Sequence, residues 1–500
     1  ADRHTRDFTL SQLREALAEV IACFPVYRTY VRAGSVTPMD RRYVDWAVAR
    51  AKKKAPDLDP SIFDFIRGVL LLDACAGKSE AQAQAIVSFA MKFPQVTSPA
   101  TAKSLEDTAF YRYCRLTSLN EVGGDPRRFS VSVNAFHLEN QERARRWPHA
   151  MLATSTHDNK RSEDVRARIN VLSELAEEWR EHVRRWARVN RNKRSRFEDA
   201  PAPSRNDEYL LYQTLVGAWP LEELGREEQA QFCERIEQYM IKAAREAKSE
   251  TSWVNVNEAY EKSLTSFVHA LLDRGDKNLF LADFLPFQKR IARLGLFNSL
   301  SHTLLKLTAP GVPDFYQGNE IWDFSLVDPD NRRPVDYARR QAMLDALDRE
   351  MQGPALAAKA RVLLDTLEDG RVKLYLTSRT LKVRGELARL FRRGEYLPLQ
   401  ASGPRAEHLI AFARRRANDI VIAVAPRLFA RLCPEPDSLP LGEAAWGDTA
   451  IEIPFHSPDV RYTNTLTGEV LDSSQSEGKA MLRAASIFSS FPAALLVREA

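Results

Sequence analysis

Apolar positions recur at helical spacing over residues 8–24, where Pro25 ends the pattern, and again over 40–54, 60–72 and 80–89. The first two segments are separated by 26–31, a short aromatic and β-branched run that reads as a strand, with a turn at Gly34. A strand set among helices predicts layered α/β construction in this part of the chain. A Pro-containing loop is expected from Phe93, and the glycines and Asp-Pro of 116–126 predict a second, turn-rich loop. A charged helix is expected over 138–147.

At 151–156 an apolar and β-branched run leads into His157-Asp158-Asn159-Lys160-Arg161, and a long helical pattern then reaches about residue 190. Strand, polar loop and helix in that order place a functional cluster at the carboxyl end of the strand, as in a closed α/β barrel. Helical periods return over 206–248, with breaks at Trp219-Pro220 and Gly225, and over 257–272 and 284–305. A Pro- and Gly-rich junction at 304–320 has the composition of a loop over an active site, and a polar turn at 328–334 precedes a helix at 336–349. Beyond 350 the strand-length runs 372–376, 408–413, 420–425, 450–453 and 493–497 predict a small antiparallel β-sandwich. Two domains are therefore expected, an α/β body over 1–375 and a β-sandwich over 376–500.

Composition narrows the class. Five hundred residues exceed what one core organises, and 44% hydrophobic with 28% charged residues is the balance of a globular protein. No apolar run is long enough for a membrane span. The opening Ala-Asp-Arg-His-Thr-Arg-Asp lacks the apolar core of a signal peptide, so the cytoplasm is the expected location. Five scattered cysteines without a CxxC suggest neither a disulfide framework nor a zinc cluster. A net charge of +5 is mild for this length and implies no nucleic-acid partner. The basic run at 184–196 follows Glu177, Glu178 and Glu181 and reads as a solvated helix surface.

Candidate chemistry centres on His157-Asp158. From a loop, a carboxylate can offset developing positive charge while an imidazole donates to a sugar hydroxyl; alone, such a pair is more often a surface turn. Lys160, Arg161, Glu163, Asp164, Arg166 and Arg168 could hold a polar ligand there. They equally describe a helix capped by Ser162 with acids in its first turn. Arg28 with Tyr27 and Tyr30, and Glu106, Asp107, Tyr111 and Arg112, mix aromatic faces with charge, as sugar sites and structural ion pairs both do. The absence of a Gly-rich phosphate loop, of GxSxG and of HExxH counts against kinase, dehydrogenase, esterase and metalloprotease chemistry.

At His157-Asp158 and at Tyr316-Gln317-Gly318-Asn319-Glu320 the sequence resembles the α-amylase superfamily. Within it the sequence is similar to the maltooligosyltrehalose synthase family, through Phe24-Pro25-Val26-Tyr27-Arg28-Thr29-Tyr30, the run from Ser104 to Tyr111, the run from Leu119 to Pro126, the run from Ser155 to Arg168 and the run from Thr308 to Gly318. The resemblance implies the carboxyl-terminal part of a catalytic (β/α)8 barrel with large helical insertions, followed by a β-sandwich. It implies a mutase that turns the reducing-end α-1,4 linkage of a maltooligosaccharide into an α,α-1,1 linkage, with no cofactor or metal. Asp158 would be the third conserved carboxylate and His157 a hydrogen-bond partner of the sugar. Lys160, Arg161, Tyr316 and Glu320 would grip the retained glucose, and Arg28 and Tyr30 would contribute to substrate binding.

The family also uses an aspartate nucleophile and a glutamate acid/base on earlier strands. Neither pattern is matched before Asp158: Arg67-Gly68 lacks the aspartate, and Glu19 and Asp40 lie in unlike contexts. The chain is accordingly expected to be inactive alone and to depend on an amino-terminal fragment of the same enzyme for both acids. Two other readings remain open, a hydrolase of α-glucan or of maltooligosyltrehalose, and a non-catalytic glucan-binding subunit.

Overall fold

A computed structural model describes residues 7–197, 200–275, 277–454, 460–476 and 478–499; the first six of the seven opening residues considered for a leader lie outside them. The chain divides into two compact units, residues 1–112 with 246–248, and residues 113–245 with 249–500.

The first unit is helical. Thr9 caps Leu10–Ala22 and Thr37 caps Pro38–Lys54, each in a reciprocal pair with the third residue of its helix, Gln12 or Asp40. Their apolar stripes meet that of Pro60–Leu70 in a core that includes Val20, Val44, Val48, Phe63 and Ile66. The strand expected at 26–31 does not form. Its backbone groups are taken by side chains of the surrounding helices: Tyr30 N–H donates to Asp40 (2.8 Å), and Thr97 Oγ1 donates to the Tyr27 carbonyl (2.8 Å). With no neighbouring strand, extended backbone is satisfied locally, and the α/β expectation for this unit is corrected to all-α. Nor is there a loop at Phe93. The helix Glu80–Thr101 runs through Pro94 and Pro99 and widens into π turns over Ala102–Ala109, as helices do where the regular ladder is interrupted.

The second unit is mostly helical, with antiparallel sheets at its carboxyl end. Its strands are β1 (Met151–Ala153), β2 (Ser195–Phe197), β3 (Ala200–Ala202), β4 (Val312–Asp314), β5 (Glu395–Leu399), β6 (Ala401–Ser402), β7 (Leu409–Arg416), β8 (Asp419–Pro426), β9 (Ala450–Ile453), β10 (Arg461–Asn464), β11 (Val470–Asp472), β12 (Ser474–Ser476), β13 (Lys479–Arg483) and β14 (Ala494–Arg498). β1 and β4 are parallel, with Met151 opposite Val312 and Ala153 opposite Asp314. The chain between them holds long helices, including Glu163–Val171, Arg205–Ala218 and the thirty-residue Leu279–Thr308. Two glycines let these helices close on one another. A Cβ on Gly217 would stand 2.7 Å from Val165, and one on Gly295 would stand 2.8 Å from the Arg168 Cα, so the helix after the His157-Asp158 loop is held from two sides.

Six strands follow the order β11-β10-β14-β8-β7-β5 and four the order β12-β13-β9-β6, all antiparallel. The run 372–376, expected as a strand, lies in the helix Arg371–Glu386, where Val372, Lys373, Leu374, Tyr375 and Leu376 are all buried. A short run buried on every side carries no period, so its length could not separate helix from strand. The boundary placed at 375/376 falls inside this helix, and the carboxyl-terminal strands begin at Glu395. Among the described residues no helix is long and apolar enough to cross a membrane.

Candidate functional site

β1 and β4 run side by side and deliver their following loops to the same end. β1 is followed by Thr154–Ser162 and β4 by a segment that starts at Phe315. The first loop changes character within two residues: His157 and Asp158 are exposed, while every residue from Asn159 to Val165 is buried. The Asp158 carboxylate has no hydrogen-bond or ion-pair partner among the described residues, and the Asp158 N–H donates to Thr156 Oγ1 (3.3 Å). The two loops are tied through Asn331, whose Nδ2 donates to the His157 carbonyl (3.1 Å) and whose carbonyl accepts from the Tyr316 hydroxyl (3.1 Å).

The buried half of the loop is held by side chains from elsewhere in the unit. The Glu121 carboxylate accepts the N–H groups of Lys160 (2.8 Å) and Arg161 (3.3 Å). Arg161 is turned inward, donating to the Thr117 carbonyl (3.3 Å) and the Tyr239 hydroxyl (2.7 Å), with its guanidinium over the Tyr239 ring. Lys160 is likewise buried. Glu320 accepts from Arg340 Nε (3.0 Å), and the same guanidinium donates to the Gly318 carbonyl (3.1 Å). Tyr316 is half-buried. Arg28 and Tyr30 belong to the first unit, where the guanidinium lies 4.7 Å from the centre of the exposed Tyr30 ring.

Beneath the loops lies a charge cluster. Lys373 Nζ pairs with Glu163 (2.7 Å) and Asp164 (2.9 Å), and Lys306 Nζ reaches Glu163 (3.4 Å) and Thr154 Oγ1 (2.8 Å). Burial alone would raise Glu163; Lys373 and Lys306 outweigh it and hold the carboxyl down at about 2. Burial also works against the charge of Lys373, and there the two carboxylates prevail and raise it. The same burial raises Asp164, against the pull of Lys373. Burial, with Arg166 nearby, takes the neighbouring His302 down to about 4.

Glu163 and Asp164 thus serve the interior rather than a ligand, although Ser162 does cap their helix by accepting from the Val165 N–H. Glu121, Asn331 and Arg340, which place the loop residues, carry no local motif. Only the Leu119 to Pro126 run marked Glu121, as part of a family signature and not as a loop anchor. No group of three or more His, Cys, Asp or Glu residues is placed to hold a metal ion among the described residues. Two concavities in this unit, of about 370 and 250 Å³, have linings that do not include Asp158.

No protein-family model matches the chain. Over 410 residues, 82% of its length, it is 37% identical to a protein of Mycobacterium tuberculosis (strain ATCC 25618 / H37Rv) whose name assigns it provisionally as a maltooligosyl trehalose synthase; the match covers 46% of that relative. The structure of maltooligosyltrehalose synthase from Arthrobacter ramosus aligns with a TM-score of 0.75 at 36% identity, over 100% of this chain and 55% of that one. The crystal structure of a hypothetical maltooligosyl trehalose synthase from Sulfolobus tokodaii aligns at 0.65 and 28% identity, over 97% and 54% respectively. The chain spans about half the length of the relatives it matches.

Proposed function

From the homology of this chain to the maltooligosyltrehalose synthases, over about half of their length, we propose that it carries one side of the active site of a glucosyl mutase of the α-amylase superfamily. The observation that carries this reading is the parallel pair β1–β4, which sets the exposed His157-Asp158 beside the loop of Tyr316 at the carboxyl ends of adjacent strands. That is where barrel enzymes assemble their chemistry.

In this reading β1 and β4 are two strands of a (β/α)8 barrel. Each is three residues long and, among the described residues, pairs only with the other, while Met151, Ala153 and Val312 are exposed. An isolated two-stranded sheet is marginal, and this reading takes the remaining strands, the aspartate nucleophile and the glutamate acid/base from an amino-terminal polypeptide of the same enzyme. The nucleophile attacks the anomeric carbon while the acid protonates the leaving oxygen, the two carboxyls being about 5–5.5 Å apart in a retaining site. Asp158 stabilises the oxocarbenium-like transition state and His157 hydrogen-bonds the sugar. The released glucose stays bound and attacks the glycosyl-enzyme through its own anomeric hydroxyl, which requires that water be excluded meanwhile. Lys160, Tyr316 and Glu320 grip that glucose. Arg161, with its guanidinium committed to Thr117 and Tyr239, acts through the loop's shape. Arg28 and Tyr30 are substrate-binding residues of the first unit.

The test is proton NMR of maltopentaose with this chain complemented by the amino-terminal polypeptide. Growth of α,α-1,1 signals as reducing-end signals fade is the expected result, and Asp158→Asn should cut the rate by about 10²–10³. Released trehalose or new reducing ends would make the protein a hydrolase, and binding without turnover would make it a glucan-binding subunit.

A further inference from the structure

The buried cluster stands where both strands end, and each of its members reaches one of the two loops. Thr154 is the first residue after β1; its hydroxyl donates to Glu163 and accepts from Lys306 Nζ (2.8 Å). Phe315 is the first residue after β4, and Lys306 Nζ sits 3.6 Å from the centre of its ring. The Glu163 N–H donates to Ser155 Oγ (2.8 Å) in the first loop, and Asp164 accepts the Asp323 N–H (2.8 Å) from the second. Lys373 joins the two acids. The side chains are nearly inaccessible, 2% exposed for Lys306, 5% for Glu163 and 0% for both Lys373 and Asp164.

Four buried charges are a poor way to gain stability, since apolar residues of similar volume commonly do as well or better. What this cluster provides that an apolar plug would not is direction. Every donor and acceptor has a fixed partner, so the exit of β1 cannot move without disturbing the exit of β4. We propose that Lys306 is a positioning residue which, through Thr154, Glu163 and Phe315, locks the Asp158 loop and the Tyr316 loop into one geometry. What that geometry does for a glucan rests on the functional reading above; the coupling of the loops does not.

Amide hydrogen exchange on the full chain, comparing wild type with Lys306→Met, tests the coupling without any need for turnover. Exchange should quicken tenfold or more in both 155–162 and 316–325 while 409–426, in the carboxyl-terminal sheet, stays as it was. Faster exchange in one loop alone, in neither, or in step with 409–426 would overturn the proposal. If Lys306→Met does not fold, Thr154→Val, which removes one hydroxyl and keeps the volume, gives the same readout with the same criteria. In the complemented enzyme a positioning role lowers kcat of Lys306→Met with KM little changed, whereas an unchanged kcat alongside loosened loops would discard the functional reading and leave the coupling standing.

Discussion

Two parts of the second unit are built on opposite terms. In the carboxyl-terminal sheet, β7 and β8 pair over eight residues, from Leu409 opposite Pro426 to Arg416 opposite Asp419, and β8 is flanked on its other side by β14. Ile422, Val424 and Leu496 are completely buried there. The β1–β4 pair has three residues per strand and exposed side chains at its ends, and beneath its loops lie Lys306, Lys373, Glu163 and Asp164. Where a sheet completes itself, packing suffices to fix it. Where two short strands pair only with each other among the described residues, specific charge contacts fix their exits instead.

The sharpest way to break this contrast is to remove one charge. Lys373→Met leaves two buried carboxylates with a single lysine nearby and should cost about 3–5 kcal/mol, read as a lower urea midpoint. Ile422→Ala in β8 creates a cavity and should cost about 2–5 kcal/mol, with exchange quickened across 409–426 and the β1 and β4 loops affected last. If the two variants loosened the same amides in the same order, the regions would be one cooperative unit and the contrast would be false.

A smaller effect is expected from pH. His302 titrates near 6.5 when unfolded and is held down to about 4 by burial and by Arg166, with Lys373 and Lys306 acting in the same direction and Glu163 opposing. Its neutral form is the native one, so the unfolded chain binds the extra proton as pH falls. Stability should therefore be intact above about 6.5 and decline toward 4, by at most about 3 kcal/mol. His302→Asn should flatten that part of the stability–pH curve, and an unchanged slope would show that the imidazole is not held neutral in the native chain.

Much of this organisation was legible in the sequence, but unevenly. Helix starts and strand-length runs are local properties, and 151–156, 420–425 and 450–453 fold close to where their patterns place them. The His157-Asp158 loop could be read for the same reason. Its supports could not. Lys306 is 143 residues from Glu163 and Lys373 is 209 from Asp164, and nothing in the spacing says that two acids in a first helical turn will meet lysines rather than solvent. The extended run at 26–31 failed as a strand because pairing depends on a neighbour that a local pattern cannot supply. The failure of 372–376 was different, an apolar run too uniform to have a period.

The smallest effect expected on the chain itself is the most informative about its edges. Met151 and Val312 face each other at the start of the parallel pair and are 64% and 42% exposed. Replacing both by lysine removes no buried contact and should shift the stability of the 500-residue chain by no more than about 0.5 kcal/mol. The prediction for the assembled protein is the reverse. If further strands pair beside β1 and β4, lysines at these positions set charge where a neighbour must pack, which is how natural proteins discourage strand addition at an edge. Co-elution of the double variant with the amino-terminal polypeptide should then fail under conditions where the wild-type chain succeeds. Equal co-elution would mean that these positions face solvent in the assembly as well, and the partnership would have to rest on other surfaces.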